Sequence, residues 1–252
     1  MLPLAGTEAG RTQLQVGAGG DTTMAVDRAA EEVVFLELQR LHDKGERFSV
    51  LSEEVGLRSF GADYPLLLVD PVDGSLNAKQ GVPVFSLMMA VLDGPAVGDA
   101  YASIVLDLNT GEEWTGLRGE GAWRSGKRLS VLPRWKANQF QILGLESTPH
   151  ALAAARPLVE RSAKIRILGS MAISLSLTAS GGFDVFCAPR PVRVFDTAAS
   201  LLFIREVGGV STNIEGKPLA GLPCTLETRS TVLCAPSPEL HAEALAMLGG
   251  AR

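Results

Sequence analysis

The chain carries at residues 66–77 the stretch LLLVDPVDGSLN, in which a run of apolar residues closes on two acids. Four apolar residues followed by Asp70 and Pro71 predict a buried strand that ends at the proline, because proline cannot donate to a sheet ladder. Only a Pro-Val step separates Asp70 from Asp73. The predicted strand therefore delivers two carboxylates at its end.

The residues after the second acid suit a phosphate. Gly74 lets the backbone approach a ligand closely, and Ser75 offers a hydroxyl and an N–H where a short helical turn over residues 76–79 begins. Two acids beside a phosphate would repel it unless cations lie between them. The stretch thus predicts a divalent metal and a phosphate bound together, with an ordinary Asp-Pro turn as the alternative.

Composition narrows the class of protein. The 252 residues are 46% hydrophobic and include 27 glycines and 14 prolines, which is typical of a well-buried α/β protein rich in turns. A formal charge of −5 argues against nucleic acid as a partner. The sequence has neither an apolar run of about 18 residues nor a signal peptide, so we expect no membrane association. Three cysteines without CxxC spacing indicate reduced thiols in a cytoplasmic protein.

The first half of the chain predicts an α+β unit, residues 1–135. Residues 1–20 are rich in glycine and alanine and predict a loop, and residues 25–42 place apolar side chains at helical spacing. An antiparallel meander follows the helix. Its strands are predicted at residues 48–51, 66–70, 84–92, 97–106, 112–117, 122–124 and 129–132.

The second half, residues 136–252, alternates strands with helices and predicts an α/β unit. Asp196 takes the N-cap position of its third helix. Helices are predicted at residues 149–161, 170–179, 197–207 and 238–248, and strands at residues 140–145, 165–168, 183–187, 192–195 and 231–235. The two halves together predict layered helices and sheets in one compact unit, with a cleft between the halves.

Three groups of acids follow apolar runs: Glu53 with Glu54, Asp70 with Asp73, and Asp196. Each group alone is explained as solvated turn residues or a helix cap. Together they suit hard divalent cations, because acids that directly follow core strands converge at a sheet edge and such cations need only oxygen ligands. No histidine has HExxH or His-acid spacing and no GxxxxGK loop occurs, so neither an imidazole base nor a P-loop is indicated.

These motifs resemble the inositol monophosphatase superfamily. Residues 70–77, DPVDGSLN, are similar to its D-P-[IL]-D-G-[TS]-x-N signature. Residues 52–54 resemble its upstream E-E element, and residues 194–199, VFDTAA, resemble its W-D-x-A-A/G element. Residues 17–27 and 165–170 are most similar to the archaeal-type branch, whose members act on inositol phosphates and fructose 1,6-bisphosphate. The resemblance implies an α-β-α-β-α sandwich.

The resemblance also implies the metal ligands. Glu53, Asp70 and the Val72 carbonyl would bind a first Mg²⁺. Asp70, Asp73 and Asp196 would bind a second, with Asp70 shared between the two ions.

Catalytic and substrate-binding residues follow from the same resemblance. Glu53, Ser75 and Asp70 would be catalytic, with Glu53 and Ser75 orienting the attacking water. The N–H groups of the Gly74-Ser75 pair would hold the phosphate. The substrate-binding set implied is Asp73, Gly74, Ser75, Arg166, Met171 and Arg190.

The sequence therefore predicts a Mg²⁺-dependent phosphomonoesterase of small phosphorylated polyols or sugars, inositol 1-phosphate and fructose 1,6-bisphosphate among them, acting by two-metal activation of water. Arg166 and Arg190 suit the second phosphate of a bisphosphate. A third Mg²⁺ stays open, because residues 19–21 read Gly-Gly-Asp where the family pattern has Asp-Gly-Thr. The alternatives are a 3′-phosphoadenosine 5′-phosphate or histidinol phosphate phosphatase of the same superfamily and a non-catalytic metal- or phosphate-binding homologue. A homodimer is the expected assembly.

Overall fold

The computed structural model describes residues 2–20, 22–130, 139–146 and 148–249. The helices are α1 Ala25–Asp43, α2 Ser75–Gln80, α3 Pro149–Leu152, α4 Arg156–Glu160, α5 Met171–Ala179, α6 Ala198–Glu206 and α7 Pro238–Gly249. The strands are β1 Gln13–Val16, β2 Thr22–Met24, β3 Phe48–Ser52, β4 Gly56–Asp73, β5 Ser86–Leu92, β6 Ala100–Asp107, β7 Glu113–Leu117, β8 Gly121–Arg124, β9 Lys127–Arg128, β10 Phe140–Leu145, β11 Ser162–Arg166, β12 Val185–Arg193, β13 Val210–Thr212 and β14 Arg229–Ala235. Short 3-10 turns occupy Leu2–Leu4, Ala9–Arg11, Val97–Asp99 and Phe195–Thr197.

A seven-stranded sheet occupies the first half of the chain, in the order β3-β4-β5-β6-β7-β8-β9. The pairs from β4 to β9 are all antiparallel, which confirms the predicted meander. β3 instead pairs in parallel with the second part of β4, with Ser49 opposite Leu66 and Ser52 opposite Val69. The residues that follow Ser52 and Val69 therefore lie side by side at one edge of the sheet.

β4 continues through Pro71 to Asp73, which corrects the predicted strand end at the proline. Asp70 pairs with Met88 and Asp73 with Ser86, so the register shifts by one residue between the two acids. A break of this kind in the ladder accommodates a residue that has no N–H to donate. Both acids thus belong to the strand and are buried, with 3% and 6% of their surface exposed.

A five-stranded sheet occupies the second half, in the order β11-β10-β12-β14-β13. β10 runs parallel to both of its neighbours, and β14 runs antiparallel to β12 and β13. The two strands predicted at residues 183–187 and 192–195 are one strand, β12, with a register shift between Ala188 and Val192. Pro189 and Pro191 lie inside that shift, where ladder hydrogen bonds are interrupted.

Helices and sheets stack in five layers. α5 and α6 lie between the two sheets, and one core cluster joins Met88 of the first sheet, Phe203 of α6 and Phe186 of the second sheet. α1 covers the outer face of the first sheet through Val34 and Leu38. α4 and α7 cover the outer face of the second. Each fully buried large side chain contributes roughly 1.5–3 kcal/mol to this packing, and the arrangement confirms the predicted α+β layered sandwich.

The N-terminal segment is structured where the sequence predicted a loop. β1 and β2 form an antiparallel ribbon across residues 13–24. The four residues of β1 alternate polar and apolar side chains, but all four are exposed, so this short pattern has no buried face that distinguishes a strand from a loop.

The helix predicted at residues 149–161 is two short helices, α3 and α4. Pro157 lies in the first turn of α4, where its missing N–H is tolerated, whereas a continuous helix would place it in the interior. The strand predicted at residues 129–132 lies partly outside the described residues. The predicted boundary between residues 135 and 136 lies wholly outside them. The division of the chain at that boundary stays a prediction. Among the residues that the structure describes, no helix combines the length and apolar character that crossing a membrane needs.

Candidate active site

The register of β3 and β4 places Glu53 beside Asp70. Glu53 follows Ser52, which lies opposite Val69, and the Glu53 N–H donates to the Val69 carbonyl at 3.4 Å. Each acid therefore follows a buried residue of a strand, Ser52 of β3 or Val69 of β4, at the same end of a parallel pair.

Asp196 reaches the same place from the second half of the chain. One carboxylate oxygen each of Glu53, Asp70 and Asp196 lies within 4.8 Å of the other two. The sequence predicted Asp196 as the N-cap of the following helix, and this prediction is wrong. Asp196 lies in the 3-10 turn Phe195–Thr197, and Thr197 is the N-cap of α6. The structure thus brings together three of the predicted metal ligands.

Asp73 lies next to this group with its carboxylate already engaged. Its Oδ1 accepts from the Met171 N–H at 3.0 Å, and its Oδ2 accepts from the Ala172 N–H and the Ser86 hydroxyl, both at 3.1 Å. The Ser170 hydroxyl also donates to Oδ2. The role of Asp73 as a metal ligand stays a prediction, and its observed contacts are with Ser86 of β5 and with the start of α5.

A cavity of about 450 Å³ opens onto the acids. Four predicted site residues line it, namely Glu53, Asp70, Val72 and Ser75. The other residues that line the cavity were not among the predicted site residues. They are Gln13, Thr22, Met24, Asp27, Glu54, Pro71 and Lys79.

Gly74 makes the turn from β4 into α2. Its φ is +86°, and a Cβ there would lie 3.0 Å from the Val84 carbonyl oxygen and 3.1 Å from that of Gly169. Any side chain would therefore be strained and crowded at this position. Asn77, in the first turn of α2, donates to the Val84 and Leu168 carbonyls at 2.7 Å each, so the same turn is tied to the second half of the chain.

The three residues predicted to contact the rest of the substrate are not part of the cavity lining. Arg166 is exposed at the end of β11 and donates to its neighbour's carbonyl at 2.9 Å. Arg190 is exposed on β12. Met171 has its side chain in the central core and its N–H on Asp73. Their roles stay predictions.

Comparison with known proteins decides the family. A profile of the inositol monophosphatase family matches residues 5–249. The chain belongs to the inositol monophosphatase family. It is 30% identical over 250 residues to the fructose-1,6-bisphosphatase/inositol-1-monophosphatase of Methanothermobacter thermautotrophicus, covering 95% of this chain and 88% of that one. It is 35% identical over 219 residues to the inositol-1-monophosphatase of Rhizobium meliloti, covering 82% and 79%.

Solved structures show the same fold. A Pyrococcus horikoshii protein with similarities to inositol-1 monophosphatase has a TM-score of 0.81 at 24% identity, over 98% of this chain and 91% of that one. The Thermotoga maritima inositol monophosphatase has a TM-score of 0.78 at 22% identity, over 99% and 95%. The predicted family and fold class are confirmed, and membership makes this family member a phosphoric monoester hydrolase.

Negative charge accumulates in the site of this inositol monophosphatase homologue. Burial raises the pKa of Asp70 well above its usual range, and the charges of Glu53, Asp73 and Asp196 raise it further. Burial also raises the pKa of Asp196 to about 7, although the charge of Arg193 opposes the shift. Burial raises the pKa of Glu54 to about 7 in the same cavity. A bound cation would oppose these shifts by stabilising the ionised carboxylates.

The donor set fits a hard divalent cation. Asp196 Oδ1 is buried and accepts no hydrogen bond from the described residues. A buried carboxylate oxygen without a partner is costly unless something binds it. The neighbouring ligands are carboxylate oxygens, which such cations prefer, and no histidine lines the described part of the cavity.

Three functional candidates escaped the sequence analysis. Arg193 pairs with Glu53 and Asp196 inside the cluster. Lys79 lines the cavity four residues after Ser75 on the same helix, a spacing that places two side chains on one face. Glu146 directly follows β10, and its Oε2 is buried without a partner among the described residues. The rule that identified Glu53, an acid directly after an apolar run, would also have identified Glu146.

Replacing Glu146 by glutamine tests the burial of this acid. Burial, with a contribution from the charge of Asp73, raises the pKa of Glu146 from 4.5 to about 7. A carboxyl with a raised pKa in the folded state stabilises the fold at low pH, and that contribution is lost as pH rises toward 7. The free energy of unfolding of the metal-free wild type should therefore fall, between about pH 5 and pH 8, by about 1–3 kcal/mol more than that of Glu146→Gln.

Urea denaturation in EDTA at several pH values measures this difference. Glu227→Gln is the matched control, because Glu227 is exposed, and its curve should follow the wild type. Parallel pH profiles for the wild type and Glu146→Gln would contradict the burial of an unpaired carboxyl.

Proposed function

We propose that this family member is a Mg²⁺-dependent phosphomonoesterase whose substrates are small phosphorylated polyols or sugars. The observation that carries the proposal is the convergence of Glu53, Asp70 and Asp196 beside a cavity that Ser75 also lines. The acids come from separate parts of the chain, and only the fold brings them together. A volume of about 450 Å³ suits a small phosphorylated substrate.

The proposal assigns a role to each group of residues. Glu53, Asp70 and Asp196, with the Val72 carbonyl and Asp73, hold two Mg²⁺ ions. When bound, such ions polarise the phosphoryl group and lower the pKa of water. The third ion stays an alternative, and Asp21 of the loop that would bind it lies outside the described residues.

The protein groups then position the reactants. Glu53 and the Ser75 hydroxyl orient the water that attacks phosphorus, and the N–H groups of Gly74 and Ser75 hold the phosphate oxygens. The bond from phosphorus to the polyol oxygen breaks, and that oxygen takes a proton. The products are the free polyol and inorganic phosphate.

Relatives support the substrate class. Those named above are called fructose-1,6-bisphosphatase/inositol-1-monophosphatase and inositol-1-monophosphatase. Arg166 lies at the carboxyl end of β11, and Arg190 lies on β12. Both strands pair in parallel with β10, which lies between them. Both guanidinium groups lie outside the acid cavity, where they would meet a second anionic group of a bisphosphate.

Asp70→Asn tests the metal centre. The substitution keeps the shape of the side chain but removes the charge shared by the two ions, so kcat/KM for inositol 1-phosphate with Mg²⁺ should fall at least about a hundredfold. Asp63→Asn is the control, because Asp63 is an exposed acid of the same strand, β4, and should retain wild-type activity. A loss of only a few-fold in Asp70→Asn would remove the two-metal assignment.

A substrate panel separates the alternatives. We expect kcat/KM with Mg²⁺ to be higher for inositol 1-phosphate and fructose 1,6-bisphosphate than for 3′-phosphoadenosine 5′-phosphate and histidinol phosphate. Arg166→Ala should raise KM for the bisphosphate more than KM for inositol 1-phosphate, because only the former carries a second phosphate. Strong preference for the nucleotide would overturn the substrate class. Metal binding without turnover of any substrate would support a non-catalytic homologue.

A further inference from the structure

Arg193 places a cation inside the acid cluster. It is the last residue of β12 and lies three residues before Asp196. Its Nη2 lies 2.5 Å from Glu53 Oε1, and its Nε donates to Asp196 Oδ2 at 3.0 Å. The three side chains are between 13% and 15% exposed, so both ion pairs are largely removed from water.

The arginine and a divalent cation would draw on the same carboxylate groups. The ligand oxygens of Glu53, Asp70 and Asp196 lie within 4.8 Å of one another. Mg²⁺ binds oxygens at about 2.0–2.1 Å, so an ion between these acids needs carboxylate groups that the guanidinium now engages. A guanidinium does not lose its proton in proteins, so the two cations would also repel each other.

The loop before β2 packs on this arrangement. The Gly19 N–H donates to the Glu53 carbonyl at 2.7 Å. A Cβ on Gly19 would lie 2.7 Å from Arg193 Nη1 and 3.0 Å from Glu53 Cγ. A glycine at this position therefore leaves room for the Arg193–Glu53 pair beneath the loop, and the pair is part of the packed structure.

Charge explains why the arginine stays there. Burial alone would lower the pKa of Arg193, but the charges of Asp196 and Glu53 outweigh burial and raise that pKa. Breaking a buried ion pair leaves the remaining charge uncompensated. Without Arg193, the metal-free protein would hold Glu53 and Asp196 beside Asp70 with no cation between them.

We propose that Arg193 is the resident counter-ion of this centre and sets its affinity for divalent cations. The inference rests on the proposed metal centre. In the metal-free protein Arg193 neutralises Glu53 and Asp196, and a metal that binds these carboxylates must compete with its charge. Arg193 is thus a positioning residue that stabilises the metal-free fold and weakens metal binding.

Arg193→Met tests this role with Mn²⁺ as the probe. Methionine is unbranched and apolar and has neither charge nor N–H donors. Isothermal titration of the metal-free variant should show a Kd for Mn²⁺ lower than the wild-type Kd by about tenfold or more. Its melting temperature in EDTA should be lower than that of the wild type, and added Mn²⁺ should restore much of the difference.

Lys79→Met is the matched control. It removes a positive charge that lines the same cavity but that the structure does not pair with Glu53 or Asp196. Its effect on the Mn²⁺ Kd should be smaller than about threefold, as for a charge that acts through solvent. Equal gains in affinity in Lys79→Met and Arg193→Met would reduce the effect to net charge and overturn the specific role of Arg193.

Arg193→Lys covers the case in which Arg193→Met does not fold without metal. Lysine keeps the charge but lacks the fork that reaches two carboxylates, so its Mn²⁺ affinity should exceed that of the wild type by a smaller factor. Unchanged or weaker Mn²⁺ binding in the folded variants, with binding by the wild type intact, would overturn the inference and leave the metal centre standing. No Mn²⁺ binding by the wild type would overturn the metal centre itself.

Discussion

Asp73 accepts hydrogen bonds from the N–H groups of Met171 and Ala172, and the rest of the structure depends on this contact. Asp73 ends β4 of the first sheet, whereas the two N–H groups begin α5, which lies 98 residues further along the chain and packs between the sheets. The first N–H groups of a helix have no partner within it, and a carboxylate satisfies them and complements the helix dipole. Because the partners are buried, the contact fixes α5 against β4. α5 in turn packs on α6 and on the turn that carries Asp196, so the far half of the chain delivers its acid to the near half.

The same packing concentrates negative charge in one buried place, and the site's chemistry follows from that. Asp73 spreads its charge over four donors, but among the described residues Asp70 accepts a hydrogen bond from the Val72 N–H, and Asp196 has one oxygen without a partner. Cations must compensate the remainder. Arg193 compensates Glu53 and Asp196 in the metal-free protein, and divalent ions would complete the compensation when the enzyme works. A site that needs cations, and that opens onto a cavity beside the Gly74 turn, is suited to holding a phosphate.

Much of this could be predicted from residues that follow apolar runs. Glu53 and Asp70 each follow an apolar run, so their meeting at a sheet edge needed only the correct pairing of the strands that contain those runs. Features set by tertiary contacts could not be predicted in this way. Pro71 was expected to end β4. The strand continues because a bulge accommodates the proline, and that bulge arises from pairing with β5, which the local sequence does not reveal. Asp196 was expected to cap α6, but it lies in a 3-10 turn that nothing in the local sequence signals. The alternation of β1 spans only four residues and buries none of them, so it did not distinguish a strand from a loop. The position of Arg193 between two acids depends on contacts across the whole chain.

A crystal of the metal-free protein soaked in Mn²⁺ tests whether Glu53, Asp70 and Asp196 form a metal centre. Mn²⁺ scatters anomalously and binds the oxygen ligands that Mg²⁺ prefers. We expect an anomalous peak within bonding distance, about 2–2.5 Å, of carboxylate oxygens of Asp70 and of at least one of Glu53 and Asp196. The distance from the Arg193 guanidinium to at least one of its two acids should also be longer than in the metal-free protein, because the metal competes for the charge of the same carboxylates. Clear density for Arg193 still bridging Glu53 and Asp196, with no anomalous peak at the three acids, would contradict the proposed metal centre.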